Sequence, residues 1–370
     1  MSVPTTETRL TAPREPEDSW IIRCCERGWL PDALVRAGMR ALMRGRLRDE
    51  HAGDGELRAL AFSRLLAELR ASPIAIETEA ANRQHYEVPT AFFEAHLGPR
   101  LKYSCAYYAL GQETLAEAET AMLERYATRA ELADGQRILD LGCGWGSLSL
   151  WLAERYPRAS IVALSNSYGQ RAYIEAQAAR LGLANLRVVT GNIADFEFAP
   201  GEAGFDRVLS IEMFEHMKHY GLLLAKIARW LRDDGKLFVH IFAHPTLAYD
   251  FAVRDGGDWM SRYFFTGGTM PSAALLLHFQ DDLQIRQQWW VNGTHYRRTA
   301  NHWLAGLDAA RERVMPILAV TYGEADAALW FQRWRMFYMA VAELFGYANG
   351  SEWGVAHYLF DKRRTMEHIA

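Results

Sequence analysis

Charged and apolar residues alternate at three-and-four spacing over residues 18–75, as in LVRAGMRALMRGRL and LRALAFSRLLAELR. This spacing puts the apolar side chains on one face of a helix. We therefore predict a helical N-terminal cap over residues 18–119, preceded by a flexible tail at residues 1–17. The first segment also fits a different interpretation, in which a helix lies on a membrane surface through its basic face.

From about residue 120 the pattern changes to short apolar runs separated by helical stretches. The runs are RILDLGC (137–143), SIVALSN (160–166), LRVVTGN (186–192), FDRVLSIEM (205–213) and GKLFVHIFA (235–243). Strands separated by helices of roughly ten to fifteen residues are typical of right-handed βαβ units. We predict an α/β fold with a parallel sheet over residues 120–245, which would hold the nucleotide-binding core.

The pattern changes again after residue 245. Residues 246–300 hold many aromatic side chains and a strand-like segment, LQIRQQWWV, while residues 300–345 are helical in pattern and aromatic. We predict that residues 246–370 form a substrate-pocket insertion and C-terminal helices that complete the fold. The late aromatic helices could also serve as the interface of a homodimer.

Composition narrows the function classes. The chain has 370 residues and a formal net charge of −4, whereas a nucleic-acid-binding protein normally has a basic excess clustered on one face. No stretch of about 18 apolar residues is present that could form a membrane-spanning helix. Its four cysteines (Cys24, Cys25, Cys105 and Cys143) have neither metal-ligand spacing nor that of a disulfide framework. We expect no bound metal and a cytoplasmic location.

A glycine-rich turn, DLGCGWG from Asp140 to Gly146, follows the first predicted strand. Gly142, Gly144 and Gly146 let the backbone pass close to a ligand, and the next helix turns its free N–H groups toward it. The spacing differs from the G-x-G-x-x-G of dinucleotide sites, where a pyrophosphate sits on the helix. A buried acid at Asp140 suits the ammonium group of S-adenosylmethionine, directly or through water. We predict this cofactor, with S-adenosylhomocysteine as its product; the alternative is a purely structural turn.

The rest of the predicted cofactor site departs from the usual pattern of such folds. The second strand of such folds usually ends in an acid that grips the ribose hydroxyls, but here Asn166 and Gln170 occupy this region. Their amides can still hydrogen-bond a ribose diol, without the added strength of an ionised acceptor. Asn192 and Ile193 end the third strand, where adenine would be recognised.

Three ionisable residues, Glu212, Glu215 and His216, follow the fourth predicted strand in the segment SIEMFEH. The carboxyl ends of parallel strands border the ligand crevice, and a helical turn starting here would put these residues on one face. Carboxylates attract an ammonium ion, and each aromatic face adds about 0.5–2 kcal/mol. Glutamate or histidine could also remove the proton of an amine as a general base. The alternative is a helix N-terminus, where acids are favoured anyway and His216 only caps a turn.

Two further regions are candidates for the site. The polar and aromatic stretch at residues 82–89 and the segment KYSCA at 102–106 could cover the cofactor, although plain loops would fit them as well. At least one of four aromatic residues on the late helix could contact substrate, but aromatic residues in such helices more often belong to the core. The four are Trp330, Trp334, Phe337 and Tyr338.

Several long segments together resemble the plant coclaurine N-methyltransferases, which belong to the wider cyclopropane-fatty-acid synthase-like methyltransferases. They are HYEVPTAFF, LKYSCAYY, RILDLGCGWGSLSL, SIEMFEHMKHY, RYFFTGGTMPS and VAELFGYANGSEWGVAHYLF. The resemblance runs from about residue 20 to residue 361. It implies a class I methyltransferase (Rossmann-like) fold with helical additions, and N-methylation of a tetrahydroisoquinoline-type amine.

The resemblance also implies residue roles. Glu212, Glu215 and His216 match that family's acid/base cluster, Glu87 faces the same pocket, and Trp334 and Phe337 match aromatic substrate contacts. The positions that match cofactor contacts are Ser104, Gly142, Asn166, Gln170, Asn192 and Ile193, and Tyr86 and Ile211 complete the predicted set. Asn192 departs from the family's usual aspartate, yet an amide oxygen can still accept a hydrogen bond from the adenine amino group.

The wider family includes enzymes that add methylene across lipid double bonds with a bicarbonate base. These typically have glycine where this chain has Glu212, and a carboxylate beside an acyl chain would be poorly solvated. Cys105 and His240 are shared with the lipid enzymes and do not discriminate.

We therefore expect methyl transfer to the nitrogen of an aromatic-bearing secondary or tertiary amine, with Glu215 and His216 as base and Glu212 orienting the ammonium group. The runner-up is C-methylation or cyclopropanation of an unsaturated phospholipid. A cofactor-binding regulator without activity is the third alternative.

Overall fold

A seven-stranded sheet lies at the centre of the computed structural model, which describes residues 19–76, 88–253 and 257–363. The strands are β1 (Arg137–Leu141), β2 (Ser160–Ser165), β3 (Leu186–Thr190), β4 (Phe205–Ile211), β5 (Leu231–Ala243), β6 (Tyr249–Asp250), β7 (Thr269–Met270), β8 (Leu283–Val291) and β9 (Gly354–Lys362). The order across the sheet is β3-β2-β1-β4-β5-β9-β8, and β6 pairs with β7 in a separate ribbon.

Helices flank the sheet, and several of them precede its first strand in the sequence. They are α1 (Trp20–Glu26), α2 (Asp32–Asp49), α3 (Gly55–Ala71), α4 (Thr90–Glu94), α5 (Leu115–Arg129), α6 (Ser147–Arg155), α7 (Tyr168–Leu181), α8 (Tyr220–Trp230), α9 (Trp259–Tyr263), α10 (Thr294–Ala309), α11 (Arg311–Tyr322) and α12 (Ala327–Gly346). Short 3-10 turns lie at Phe214–His216, Leu275–His278 and Tyr347–Gly350.

Strands β1 to β5 are parallel, as predicted. They are apolar runs because helices such as α6, α7 and α8 cover both faces of the sheet, and a strand buried on both faces has no polar side. Leu139 and Ala163, on neighbouring strands, are both fully buried. The predicted α/β fold with a parallel sheet is therefore confirmed in strands β1 to β5 and in the helices between them.

The sheet continues past residue 245, because β9 pairs antiparallel with β5 and β8 pairs antiparallel with β9. The segment LQIRQQWWV forms β8, as its pattern predicted. Strand β9 was missed. It lies between two other strands, so its side chains from Gly354 to Phe360 are all buried and show no polar alternation.

The described residues of the region predicted as a cap hold helices α1 to α5, whereas the predicted tail at residues 1–17 lies outside the described residues. Helix α2 packs against α12 and buries Val35 and Met43. Its basic face does not point only to solvent, because Arg36 and Arg40 both pair with Glu343 of α12. Among the described residues, no helix has both the length and the hydrophobicity needed to cross a bilayer.

The C-terminal helices close over the carboxyl end of the parallel strands. Helices α10 and α12 pack against each other, and Tyr296 of α10 stacks on Phe345 of α12 with ring centroids 4.3 Å apart. Their large rings point inward, so Trp303, Trp334 and Tyr338 are almost completely buried. This aromatic layer forms one wall of the second of the three cavities described next, with Tyr296 and Trp303 among the lining rings.

Candidate active site

Three cavities meet at Glu212, directly after strand β4. The first, of about 810 Å³, is lined by the ends of β1, β2 and β3. The second, of about 740 Å³, lies between the turn after β4 and the aromatic layer. The third, of about 580 Å³, lies between the glycine turn and the segment before α5. Glu212 lines all three, so any ligands bound in them would meet at this residue.

The three glycines of the turn after β1 have different roles. All have positive φ, the region that favours glycine. A Cβ on Gly142 would lie 2.8 Å from Met213 Cγ, and one on Gly146 would lie 2.7 Å from Ile174 Cγ1. A Cβ on Gly144 would meet nothing within 4 Å. Gly142 and Gly144 line the first cavity, whereas Gly146 lets α6 pack against Ile174 of α7.

Polar side chains after β2 and β3 face the first cavity. The Gln170 side chain is buried, and its Oε1 accepts a 2.6 Å hydrogen bond from Ser165 Oγ, but its Nε2 donates to no atom of the described residues. Asn166, Asn192 and Ile193 line the same cavity. A buried, unpartnered donor at the wall of a cavity has an unmet hydrogen-bonding requirement that a ligand can satisfy.

Asp140 is the acid of the third cavity. It is the fourth residue of β1 and is buried, with Ser149 Oγ donating a 2.5 Å hydrogen bond to its Oδ2. Burial raises the pKa of Asp140 to about 7, and the hydrogen bond from Ser149 opposes this rise. Ser104 and Ile211 line the same cavity. A bound cation beside Asp140 would stabilise its ionised form.

Glu212 is a carboxylate held by the protein from three sides. Its Oε1 accepts 3.0 Å hydrogen bonds from Cys105 N and His240 Nε2, and its Oε2 accepts a 2.6 Å bond from the Tyr296 hydroxyl. Its φ is +49°, a left-handed conformation that costs a non-glycine residue roughly 1–2 kcal/mol. Such strain is characteristic of positions where function, and not stability, selects the residue.

Glu215 has a contrasting environment, although it lines the second cavity together with Glu212. It is buried, and its Oε2 has no hydrogen-bond partner among the described residues. Burial and the neighbouring Glu212 charge raise the pKa of Glu215 well above its usual range. Burial also raises the pKa of Glu212, but Lys102, the Tyr296 hydroxyl and the Cys105 amide oppose that rise. The two carboxyls therefore differ in environment: Glu212 is surrounded by three donors, whereas Glu215 Oε2 has no partner among the described residues.

His216 lies where the first and second cavities join. It ends the 3-10 turn that also holds Glu215, and its ring stacks on Phe265 at 5.7 Å with an interplanar angle of 4°. Glu212 precedes this turn, so the helical turn predicted to start at Glu212 starts two residues later. The structure still brings Glu212, Glu215 and His216 to one cavity, as predicted.

Aromatic rings form most of the second cavity. Its aromatic lining residues are Tyr103, Phe242, Phe251, Phe265, Tyr296, Trp303, Phe337 and Phe345. A wall of ring faces next to two carboxyls favours a cation that carries an apolar, flat body. Except for Phe337, the sequence identified none of these rings as a contact, since they come from distant segments with no common motif.

A profile of the mycolic acid cyclopropane synthetase family matches residues 75–346. The chain is 37% identical over 361 residues to an (S)-coclaurine N-methyltransferase of Thalictrum flavum subsp. glaucum, covering 96% of this chain and 99% of the relative. A relative with the same activity in its name, from Papaver somniferum, is 38% identical over 346 residues and covers 93% and 98%. The chain belongs to this methyltransferase family.

A solved structure extends the comparison to the fold. The crystal structure of coclaurine N-methyltransferase bound to N-methylheliamine and S-adenosylhomocysteine matches with a TM-score of 0.89 at 38% identity, covering 92% of this chain and 99% of that one. The predicted class I methyltransferase fold is confirmed. This methyltransferase uses S-adenosylmethionine, as predicted from the glycine turn.

The residues of this methyltransferase fit that cofactor. Gly144 leaves open space, Gln170 offers a buried unpartnered donor suited to a ribose hydroxyl, and Asp140 offers a buried acid suited to an ammonium group. Lys226 holds the loop after β3 by donating to the carbonyl oxygens of Ile193, Ala194 and Phe196. Sequence analysis missed Lys226, because a lysine inside a predicted helix carries no local signal of a buried role.

The predicted site residues fall into three groups. Most line the three cavities: Ser104, Asp140, Gly142, Gly144, Asn166, Gln170, Asn192, Ile193, Ile211, Glu212, Glu215, His216 and Phe337. Gly146 and Trp334 do not line these cavities; Trp334 is fully buried behind them, against Phe92 and Phe264. Tyr86 and Glu87 lie outside the described residues, so their predicted contacts stay predictions.

In the part of the chain that the structure describes, no group of His, Cys, Asp and Glu side chains has the arrangement of a metal centre.

Proposed function

We propose that this methyltransferase transfers the methyl group of S-adenosylmethionine to the nitrogen of an aromatic-bearing amine of the tetrahydroisoquinoline type. The observation that carries the proposal is the buried Glu215 carboxyl, whose Oε2 has no hydrogen-bond partner among the described residues, beside the fixed Glu212 carboxylate in a cavity walled by aromatic rings. Relatives named as coclaurine N-methyltransferases support the same substrate class.

The two carboxyls and the rings bind and orient the amine. Glu212 is already saturated by three donors, so it attracts an ammonium group through its charge and does not need to move to meet it. Ring faces such as that of Phe337 contact the apolar body of the amine, and cation–π contacts add roughly 0.5–2 kcal/mol each. Orientation matters because alignment of nucleophile and methyl group can contribute up to about 7–11 kcal/mol.

Glu215 and His216 are the groups that accept the proton of the bound ammonium group. An amine whose pKa lies two to three units above ambient pH must lose a proton before its lone pair is free, which costs on the order of 3–4 kcal/mol. When bound, S-adenosylmethionine supplies an activated methyl group on sulfur. Glu215 accepts the ammonium proton on its free oxygen, because the apolar surroundings favour a neutral acid beside a neutral amine over an ion pair. His216, next to Glu215 in the turn, can take the same role.

The runner-up activity, C-methylation or cyclopropanation of an unsaturated phospholipid, is consistent with the name of the matching family profile. Glu212 argues against it, because an acyl chain would place methylene groups against an ionised carboxylate.

The two activities separate in one assay. Purified protein is incubated with S-adenosylmethionine labelled in its methyl group, and either a panel of tetrahydroisoquinolines or vesicles of unsaturated phospholipid. We expect label in the amines; label in the lipid alone would overturn the proposal. Glu212→Gln should lower amine turnover far more than cofactor affinity, whereas an equal loss of both would assign Glu212 a structural role.

Two further predictions concern the cell and the assembly. We propose a cytoplasmic location, which the four free cysteines support.

We also propose a homodimer. The rings of α12 are buried, so they leave little aromatic surface on this helix for an interface. Exposed apolar side chains lie instead on and near the N-terminal helices, where Trp20 is 68% and Trp29 is 65% exposed. Size-exclusion chromatography with light scattering tests the homodimer.

A further inference from the structure

A chain of hydrogen bonds connects Glu212 to a residue on helix α5 that none of the cavities contacts. Glu212 Oε1 is 3.0 Å from His240 Nε2, and His240 Nδ1 is 2.9 Å from His357 Nε2. His357 Nδ1 is in turn 2.6 Å from an Arg129 guanidinium nitrogen. Both histidines are fully buried on neighbouring strands, β5 and β9, and face each other in the register. Arg129 ends α5 and is half-buried, with its guanidinium over the Trp289 ring.

The groups at the two ends of this chain of hydrogen bonds determine which nitrogen donates and which accepts at each bond. Arginine has only N–H donors, so His357 Nδ1 must be the acceptor. A neutral imidazole that accepts at one nitrogen carries its proton on the other, so His357 Nε2 donates to His240 Nδ1. His240 then carries its proton on Nε2 and donates to Glu212. The Tyr126 hydroxyl, 2.9 Å from His240 Nδ1, can rotate and does not change this direction.

Both imidazoles are neutral, which this argument requires. Burial and the nearby Lys102 and Arg129 charges lower the pKa of His240 well below its usual range, and burial, His240 and Arg129 do the same for His357. Burial lowers the pKa of Arg129 to about 10, so it stays charged at neutral pH.

The other titratable groups around Glu212 do not determine which nitrogen of His357 accepts a hydrogen bond. The titratable groups that face it are Lys102 and Cys105 before α5, Tyr126 on α5, Tyr296 on α10, Glu215 and His216 in the turn after β4, and His240 on β5. Lys102 is buried, and burial lowers its pKa to about 8. It donates to Ser104 Oγ and Cys105 O and acts on Glu212 only through its charge. An ionised Glu212 already requires a donor at His240 Nε2, so Arg129 at the far end of the hydrogen-bond chain acts by disfavouring the state in which a protonated Glu212 donates to His240.

We propose that Arg129 is a positioning residue for methyl transfer: it fixes the tautomers of His357 and His240, so that His240 always donates to Glu212 and keeps that carboxylate ionised. The proposal rests on the proposed function for its kinetic consequence but not for its tautomer consequence. Without the arginine, the whole chain of hydrogen bonds can reverse: a protonated Glu212 donates to His240 Nε2, His240 donates from Nδ1 to His357 Nε2, and His357 carries its proton on Nδ1. Arg129 opposes this reversed arrangement because it needs His357 Nδ1 as an acceptor, so loss of the arginine makes it easier for Glu212 to take up a proton.

The test uses Arg129→Met, which keeps the aliphatic stem but removes the donor, and Arg129→Lys, which restores one. Arg125→Met is the matched control, because Arg125 lies one turn earlier on α5 and its guanidinium is over the Tyr107 ring, 3.6 Å from the centroid. It removes the same charge from the same helix without the bond to His357. The readouts are ¹⁵N chemical shifts of histidine in the full-length protein, and the pH profile of kcat/KM for an amine substrate.

While Glu212 is ionised, we expect Nε2-protonated His240 and His357 in the wild type and in all variants. As the pH falls, Nδ1-protonated His240 and His357 should appear at a higher pH in R129M than in the wild type, R129K or R125M. The pH profile of R129M alone should therefore gain a second ionisation below the limb that Glu215 sets, with an additional loss of up to about tenfold per pH unit below it. Tautomers in R129M that match the wild type at every pH would overturn the proposal, and so would equal changes in R129M and R125M. If no amine is methylated, the proposed function fails, while the ¹⁵N shifts still decide the tautomers. His357→Leu breaks the same link and should add the same ionisation if R129M does not fold.

Discussion

The Tyr296 hydroxyl donates a 2.6 Å hydrogen bond to Glu212 Oε2 and so ties helix α10 to the residue that follows strand β4. Tyr296→Phe should lower kcat/KM for the amine by about 10- to 100-fold, because a buried carboxylate oxygen that loses its donor costs roughly 1–3 kcal/mol. Steady-state kinetics measure this. Tyr108→Phe is the control, since Tyr108 is also buried but bonds to His302, away from the cavities. Equal losses in both variants would mean that the tyrosine acts only through stability.

The left-handed conformation of Glu212 predicts an unusual order of stability. Glu212→Gly and Glu212→Ala both remove the carboxylate, but only glycine removes the backbone strain. We expect E212G to be more stable than E212A by up to about 1 kcal/mol, even after the extra unfolded-state entropy of glycine. Denaturant unfolding measures the difference. A clearly more stable alanine variant would contradict a strained residue 212.

The donors around Glu212 predict chemical rescue of the glycine variant. Cys105 N, His240 Nε2 and the Tyr296 hydroxyl would point into the space that the side chain leaves. Formate has the same acceptor geometry, and buried donors without an acceptor favour its binding. We expect sodium formate to restore part of the amine turnover of E212G, with sodium chloride as the ionic-strength control. Rescue by both salts alike, or by neither, would argue against a preformed cradle.

The raised pKa of Glu215 predicts where the pH profile of kcat/KM rises. Burial and the Glu212 charge hold a proton on Glu215 to a pH well above the ordinary value of 4.5, and only the ionised form can accept the amine's proton. Activity should therefore rise with pH well above 4.5. Glu215→Gln should lower the plateau by about 10²–10⁴-fold, the usual contribution of a general base. A variant with a wild-type plateau would remove Glu215 from the proton step and leave His216 as the base.

Asp140 predicts a pH-dependent cofactor affinity. Its pKa is about 7 in the free protein, so it becomes neutral as the pH falls through that value and no longer attracts an ammonium group. The affinity for S-adenosylhomocysteine, measured by calorimetry, should fall by up to about tenfold per pH unit below this value. Asp140→Asn should bind more weakly and show a flat profile over this window. A wild-type profile that is also flat would place the ammonium group elsewhere.

Much of the fold was predictable because its signals are local. The apolar runs of β1 to β5 and the periodic helices between them follow from burial on both faces of a parallel sheet. Strand β9 had no such signal, because it is inserted antiparallel between β5 and β8 and its partners lie far away in sequence. In the sequence alone, its residues form an apolar segment near the C-terminus that has no strand signal.

The residues of the site, like the strands of the sheet, include some that local sequence patterns predict and some that they do not. The glycine turn and the acids after β4 could be predicted, since strand ends and turn residues place them at one edge of the sheet. Trp334 shows the limit: it lies three residues before Phe337 on α12, yet Phe337 lines the cavity and Trp334 packs behind it. The helix pattern marks both as apolar and does not tell which of them faces a ligand.

By itself the sequence determined the α/β core, the cofactor turn and the identity of the acid cluster, because each depends on neighbours only a few residues apart. The tertiary structure alone decided which acid is surrounded by hydrogen-bond donors and which has an oxygen without a donor among the described residues. The donors to Glu212 are 28, 84 and 107 residues away along the chain, and they meet only when β5, α10 and the segment before α5 pack around β4. The electrostatic environment of a buried carboxyl is a property of that packing, so no local pattern records it.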